Sequence, residues 1–155
     1  QPQHIYRATK QGRAVAAAIE TTAPDGYSGK IQLVVGITSS QAGSATVTGV
    51  RVLEHKETPG LGDKVDLRIS NWVLDFNNQT YSEEIATNWA VKKDGGQFDQ
   101  FTGATITPRA VVSAVKLSID YYSANQAAIF NAVNECAVNA VSEDAVAKNE
   151  NESDE

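Results

Sequence analysis

Apolar and polar positions alternate loosely from residue 3 to residue 21, which predicts one or two strands turning at Gln11 and Gly12. The segment Ala23 to Gly29, APDGYSG, is rich in Pro, Asp and Gly and marks a hairpin or loop. KIQLVVGITSS, residues 30 to 40, reads as a mostly buried strand. ATVTGVRVLEH, residues 45 to 55, is another, with Val50 and Val52 on one face. The short QAGS turn between them predicts an antiparallel pair. Residues 56 to 65, KETPGLGDKV, form a loop by their Pro and glycines. In DKVDLRISNWVLDF, residues 63 to 76, the positions Val65, Leu67 or Ile69, and Trp72 to Phe76 approximate a helical period. EEIATNWAVKK, residues 83 to 93, resembles a strand or strand end, and Asp94 to Gly96 a turn. From Thr107 onward Val111, Val112, Val115, Ile119, Tyr122, Ile129 and Val133 recur at helical spacing. That predicts an amphipathic helix of about 25 residues, with Thr107 as N-cap and Pro108 at the first helical position. The sum is an α+β domain: an antiparallel sheet packed by two or more helices.

Charge divides this picture in two. The formal net charge is −6, and the tail from residue 143 holds six acids (Glu143, Asp144, Glu150, Glu152, Asp154, Glu155) against Lys148 alone. Residues 1 to 142 are therefore close to neutral and form the domain, while 143 to 155 are expected to be an acidic, solvated, disordered tail. A near-neutral domain has no basic stripe for a phosphate backbone, which argues against nucleic acid as partner. No run reaches the roughly 18 consecutive apolar residues of a membrane span. The chain has no methionine, which creates the expectation that residue 1 is not the translation start. A signal peptide, a membrane anchor or a cut made in preparing the chain would account for that.

The ordinary chemistries find little support. Cys136 is the single cysteine, and His4 and His55 lie far apart, so neither an internal disulfide nor a zinc site is expected. Glu83 and Glu84 are adjacent carboxylates, which diverge in space more often than they cooperate. Trp72 and Trp89 are candidates for the core, and Tyr121 and Tyr122 for packing and rim on the long helix. Two stretches stand out. In DQFTGATITPRAVV, Asp99 to Val112, small residues precede a helix start, whose unpaired N–H groups and partial positive charge suit an anion such as phosphate. Gly103 permits positive φ, Ala104 leaves room beside the backbone, and Thr102, Thr105 and Thr107 add hydroxyls. A plain helix opening explains Thr107 and Pro108 equally well, and neither GxxxxGK[ST] nor GxGxxG is present. In HKETPGLGDKV, His55 to Val65, Leu61 between Gly60 and Gly62 would let backbone amides and one apolar cover approach a flat ligand. A tight surface loop is the plainer reading.

Together the two stretches resemble a known family. DQFTGAT matches the Asp-x-x-Ser/Thr-Gly-Ala-Thr signature at which a flavin transferase attaches FMN through its phosphate to the last threonine. ETPGLGDKV resembles the companion flavin-ring loop of the FMN-binding domain in the Rnf (Rsx) and sodium-pumping quinone reductase complexes. The likeness runs from about residue 3 to residue 135. Within that family the pair is most similar to the G-type component of the Rnf electron transport complex, a relative of the C-type component of the quinone reductase.

The resemblance implies a covalent flavoprotein with no catalytic residues of its own. Thr105 would carry FMN as a phosphoester, and Asp99, Gly103 and Ala104 would be part of what the transferase recognises. Thr102, Gly103 and Ala104 would shape the turn that presents the hydroxyl. Glu57, Thr58, Leu61 and Gly62 would hold the isoalloxazine, with Tyr27 and Lys93 beside the ring. It further implies an electron-transfer subunit of an ion-translocating oxidoreductase. Such a domain would face the periplasm from the bacterial inner membrane, behind an N-terminal anchor. Its partners would be the other Rnf subunits and, during maturation, the transferase. The alternative is an FMN-bearing electron-transfer domain serving a soluble or periplasmic reductase. A non-redox module whose TGAT is only a helix opening is a third.

Overall fold

The computed structural model describes residues 4–40 and 44–135; the acidic tail and Cys136 lie outside them. Five strands run in chain order as one antiparallel meander: β1 (Ile5–Lys10), β2 (Arg13–Ala23), β3 (Ile31–Ser39), β4 (Ala45–Glu54) and β5 (Gln79–Tyr81). The β1–β2 turn sits at Gln11 and Gly12, both at positive φ, which matches the right-handed twist of a two-residue hairpin. The strict alternation of β3 buries Ile31, Leu33, Val35 and Ile37 on one face. Register carries that face across the sheet, pairing Ile5 with Ile19, Ile19 with Val35, and Val35 with Val50. Val52 lies half-buried beside Val50.

One long helix, α1 (Ile106–Asn131), covers this face. Val111, Val115, Ser118, Ile119 and Tyr122 form its inward stripe, at the spacing of three and four that a helix needs to bury one side. At the far end Arg7 reaches across from β1 and donates to the carbonyl of Phe130 at 2.8 Å, occupying a C-terminal carbonyl that the helix leaves open. Tyr122 is buried, whereas Tyr121 is at the rim.

Between β4 and α1 the chain departs from expectation. Residues 63 to 76 are not one helix but two short 3-10 turns, Gly62–Val65 and Trp72–Phe76. Local side-chain acceptors divert the amides a helix would use: Asp66 Oδ1 takes the Arg68 amide at 2.9 Å, and Ser70 Oγ takes that of Trp72 at 3.1 Å. Residues 83 to 93 are also not a strand. They hold 3-10 turns at Glu83–Asn88 and Lys92–Asp94, and the fifth strand lies just upstream. The packing of these irregular segments is aromatic: Phe76 stacks on Phe98 at 4.5 Å, and Trp72 meets Phe101 edge-on at 5.1 Å. Trp72 and Trp89 are both buried.

Candidate functional site

The TGAT stretch is a tight turn that hands the chain to α1. The Ala104 amide donates to the Phe101 carbonyl at 3.1 Å, and Gly103 sits at φ +74 in the third position of that turn, where a type II geometry requires positive φ. Thr102 and Gly103 are exposed; Ala104 and Thr105 are half-buried. The helix then begins two residues earlier than its sequence predicts. Thr105, not Thr107, is the N-cap, and Pro108 is the third helical residue. Proline is tolerated there because an amide in the first turn has no helical acceptor.

Thr105 is an unusual N-cap. Its φ and ψ of −72° and −29° are already helical, and its hydroxyl makes no capping hydrogen bond. Among the described residues that hydroxyl has no hydrogen-bond partner. The amides of Ile106 and Thr107 have no carbonyl four residues back within the helix, so the Thr105 hydroxyl stands at the electropositive end of a 26-residue α-helix.

Thr107 turns the other way. It is fully buried and donates its hydroxyl to Glu57 Oε2. Glu57, also buried, accepts the Tyr27 amide at 3.2 Å on Oε2 and the Ser28 amide at 2.9 Å on Oε1. Its own amide donates to His55 Nδ1 at 3.1 Å. Gly62 is pressed against this pair: a Cβ there would lie 2.6 Å from Thr107 Oγ1 and 2.9 Å from Glu57 Oε2. Leu61 is exposed and borders the turn, with its Cδ2 3.8 Å from where a Gly103 Cβ would stand. The Thr58 carbonyl accepts the Leu61 amide at 3.1 Å and closes the loop.

The two distant stretches are therefore one place, joined by the Tyr27 loop. Lys93 is drawn in less directly. It is exposed on the 92–94 turn, which the bidentate pair of Asp94 with Arg109, at 2.6 and 2.8 Å, ties to the first turn of α1. That pair holds the Asp94 carboxyl below its ordinary range. Tyr27 is 69% exposed as a residue, and its amide joins the cluster. Asp99 pairs at the surface with Lys92 at 2.5 Å, while its carbonyl accepts Trp72 Nε1 at 2.8 Å.

Three participants were not legible beforehand. Thr107 looks in sequence like a cap, and only its burial shows that it points inward. Asp63 is buried beside the loop with Oδ1 unpartnered, and Lys64 Nζ lies 6.0 Å from the Phe101 ring centroid. A wide groove of about 1200 Å³ lies elsewhere, lined by residues such as Ser39, Tyr81, Glu83, Asp120 and Tyr122; none of the residues that the flavin reading singles out borders it.

Comparison with known proteins places the chain in a family. An FMN-binding domain family model matches residues 26–120. The G-type component of the ion-translocating oxidoreductase complex of Pseudoalteromonas atlantica is 72% identical over 135 residues, 87% of this chain and 61% of that protein. The protein of the same name from Vibrio cholerae is 59% identical over 135 residues, 87% of this chain and 63% of its own length. The chain thus spans less than two thirds of these relatives. The crystal structure of Shewanella oneidensis NqrC shares the fold with a TM-score of 0.51 at 22% identity, over 73% of this chain and 53% of that one. The family model covers both the Glu57 loop and the Thr105 turn, and the chain belongs to the FMN-binding domain family.

Proposed function

We propose that this chain is the FMN-carrying electron-transfer domain of an ion-translocating oxidoreductase complex, with the flavin joined to Thr105 Oγ by a phosphoester. The observation that carries the reading is the Thr105 hydroxyl, left unused by the helix it opens and set at that helix's positive end. Relatives named as the G-type component of such a complex, 72% and 59% identical, support the assignment.

The residues present fit the group. The positive φ of Gly103 bares one side of the turn, where a Cβ would meet nothing nearer than Leu61 Cδ2 at 3.8 Å. A phosphate on Thr105 would find the free amides of the first turn. Leu61 would supply an apolar cover, Thr58 and Gly62 shape the loop, and Tyr27 and Lys93 are exposed. Bound FMN supplies the one- and two-electron chemistry of its ring, which a phosphate linkage leaves intact. Attachment breaks the Thr105 Oγ–H bond and forms Oγ–P. The P–O bond to the leaving group of an activated flavin dinucleotide breaks, the proton passes to a base of the transferase, and no electron moves. A tether then replaces a binding equilibrium with a fixed local concentration. By the same reading Asp99, Gly103 and Ala104 belong to what the transferase recognises, and the domain faces the periplasm from the inner membrane behind an N-terminal anchor.

The test is intact mass under denaturing conditions after co-expression with a flavin transferase and export, beside Thr105→Val. An FMN-sized increment in the parent that is missing in the variant is the expected result. Bare masses for both, with a control substrate modified in the same cells, would return the turn to a simple helix opening.

A further inference from the structure

Glu57 is a buried carboxylate held without a cation. Among the described residues no Lys, Arg or His pairs with it. Three neutral donors hold it instead: the amides of Tyr27 and Ser28, and the hydroxyl of Thr107. They come from two other parts of the chain, the Tyr27–Ser28 loop 30 and 29 residues away and the opening of α1 50 residues away, which with the Glu57 loop makes three segments. A buried acceptor that loses one donor leaves an unsatisfied lone pair behind, so the three segments are coupled through one side chain.

The geometry fixes more than the pair. Thr107 lies two residues beyond Thr105 in the opening turn of α1. Whatever holds Thr107 against Glu57 also sets where the Thr105 hydroxyl stands relative to the 57–62 loop. Gly62 makes the approach possible, since any side chain there would strike both partners. The carboxylate's oxygens are committed to these three donors, whereas Leu61 and Tyr27 present exposed side chains.

We propose that Glu57 and Thr107 are a positioning pair. Their hydrogen bond holds the Thr105 hydroxyl in register with the 26–28 and 57–62 loops, so Glu57, which the resemblance assigns to holding the flavin ring, serves that loop by way of the protein's own donors. The inference rests on the reading of Thr105 as the attachment site.

The experiment measures the initial rate of flavin attachment to the full chain by a purified flavin transferase, read by intact mass. The variants are Thr107→Val, Thr107→Ser, Glu57→Gln and the Thr107→Val/Glu57→Gln pair, each checked for folding by circular dichroism. A misplaced hydroxyl predicts a loss of about tenfold for Thr107→Val and a similar loss for Glu57→Gln. Thr107→Ser keeps the parental rate because it keeps the donor, and the double variant is no slower than the slower single one. Ile119→Val, which loosens the helix core away from the site, is modified at the parental rate. A folded Thr107→Val modified as fast as the parent, or losses that multiply in the double variant, would overturn the pairing. If Thr105→Val is still modified, or the parent is not, the attachment reading fails instead. Hydrogen exchange of the flavin-free chain then decides the pairing. Exchange at the Tyr27 and Ser28 amides about tenfold faster in Thr107→Val upholds it, and unchanged exchange refutes it.

Discussion

Replacing Gly62 with alanine tests the packing of this site at a single atom. The added Cβ would stand 2.6 Å from Thr107 Oγ1, 2.9 Å from Glu57 Oε2 and 3.0 Å from Glu57 Cβ. Those side chains are 0% and 5% exposed, so neither swings into solvent to make room. Either Thr107 rotates off the carboxylate, losing a hydrogen bond to a charged group worth about 1.5–3 kcal/mol, or the loop retreats and leaves the core overpacked, at about 1–3 kcal/mol. Either route gives a loss of about 1–3 kcal/mol, or roughly 3–9 °C in Tm for a domain of this size. Gly60→Ala separates sterics from backbone strain: its φ of +77° disfavours alanine, but its Cβ would meet nothing within 4 Å. That variant should cost only about 1 kcal/mol. The assay is urea unfolding of the flavin-free chain, followed by circular dichroism and by Trp72 and Trp89 fluorescence. Removing the flavin keeps ligand linkage out of the comparison. In a Thr107→Ala background the closest clash disappears, so Gly62→Ala should cost at least about 1 kcal/mol less there. A parental urea midpoint for Gly62→Ala, or the same cost in both backgrounds, would refute this account of the packing.

Asp66 and Tyr81 give predictions at opposite ends of the pH scale. Hydrogen bonds from the Arg68 side chain and amide hold the Asp66 carboxyl down from 3.8 to about 2, so its contribution is complete above pH 4 and is lost as the pH falls through about 2. The gap corresponds to ~2 kcal/mol, discounted to about 1 because the Arg68 side chain is 83% exposed to screening solvent. Asp66→Asn should therefore lower stability at pH 7 and converge with the parent near pH 2 in acid-unfolding curves; a gap that persists there would contradict the linkage. Burial first, and then the hydrogen bond to Asp120, push the Tyr81 phenol up to about 12. Its contribution is present below pH 10 and is lost as the pH rises through 12. In an ultraviolet titration Asp120→Asn should bring that phenol partway back towards 10; a return all the way would show that burial is not the leading cause.

How much was legible in the sequence follows from which interactions are local. The alternation of β3 and the glycine turns around the strands announce themselves because each residue faces the next but one across a sheet. The long helix is equally plain from its inward stripe. Residues 63 to 76 misled because Val65, Trp72 and Phe76 are buried as a helix face would be, yet the buried Asp66 and the Ser70 hydroxyl capture the amides needed to continue it. Residues 83 to 93 misled because Trp89 and Val91 are buried from an irregular segment, with Trp89 packed between the rings of Tyr81 and Phe98 rather than paired in a sheet. The two unusual stretches could be singled out by composition, but their meeting depends on Glu57 reaching Thr107 across 50 residues, which no local pattern encodes.

The meander has a further consequence, in the order of folding events. Every strand pairs with its neighbour in the chain, so most of the sheet can close by short loops at little entropic cost. The Glu57 junction closes longer loops, of 29 to 50 residues, and its Thr107 arm needs the start of α1 in place. The place where Thr105 is presented is therefore complete only once α1 has joined the 26–28 and 57–62 loops. On the proposed reading, an enzyme that recognised that presentation would distinguish a chain in which the junction has closed from one in which it has not, and modification at Thr105 would record the closure.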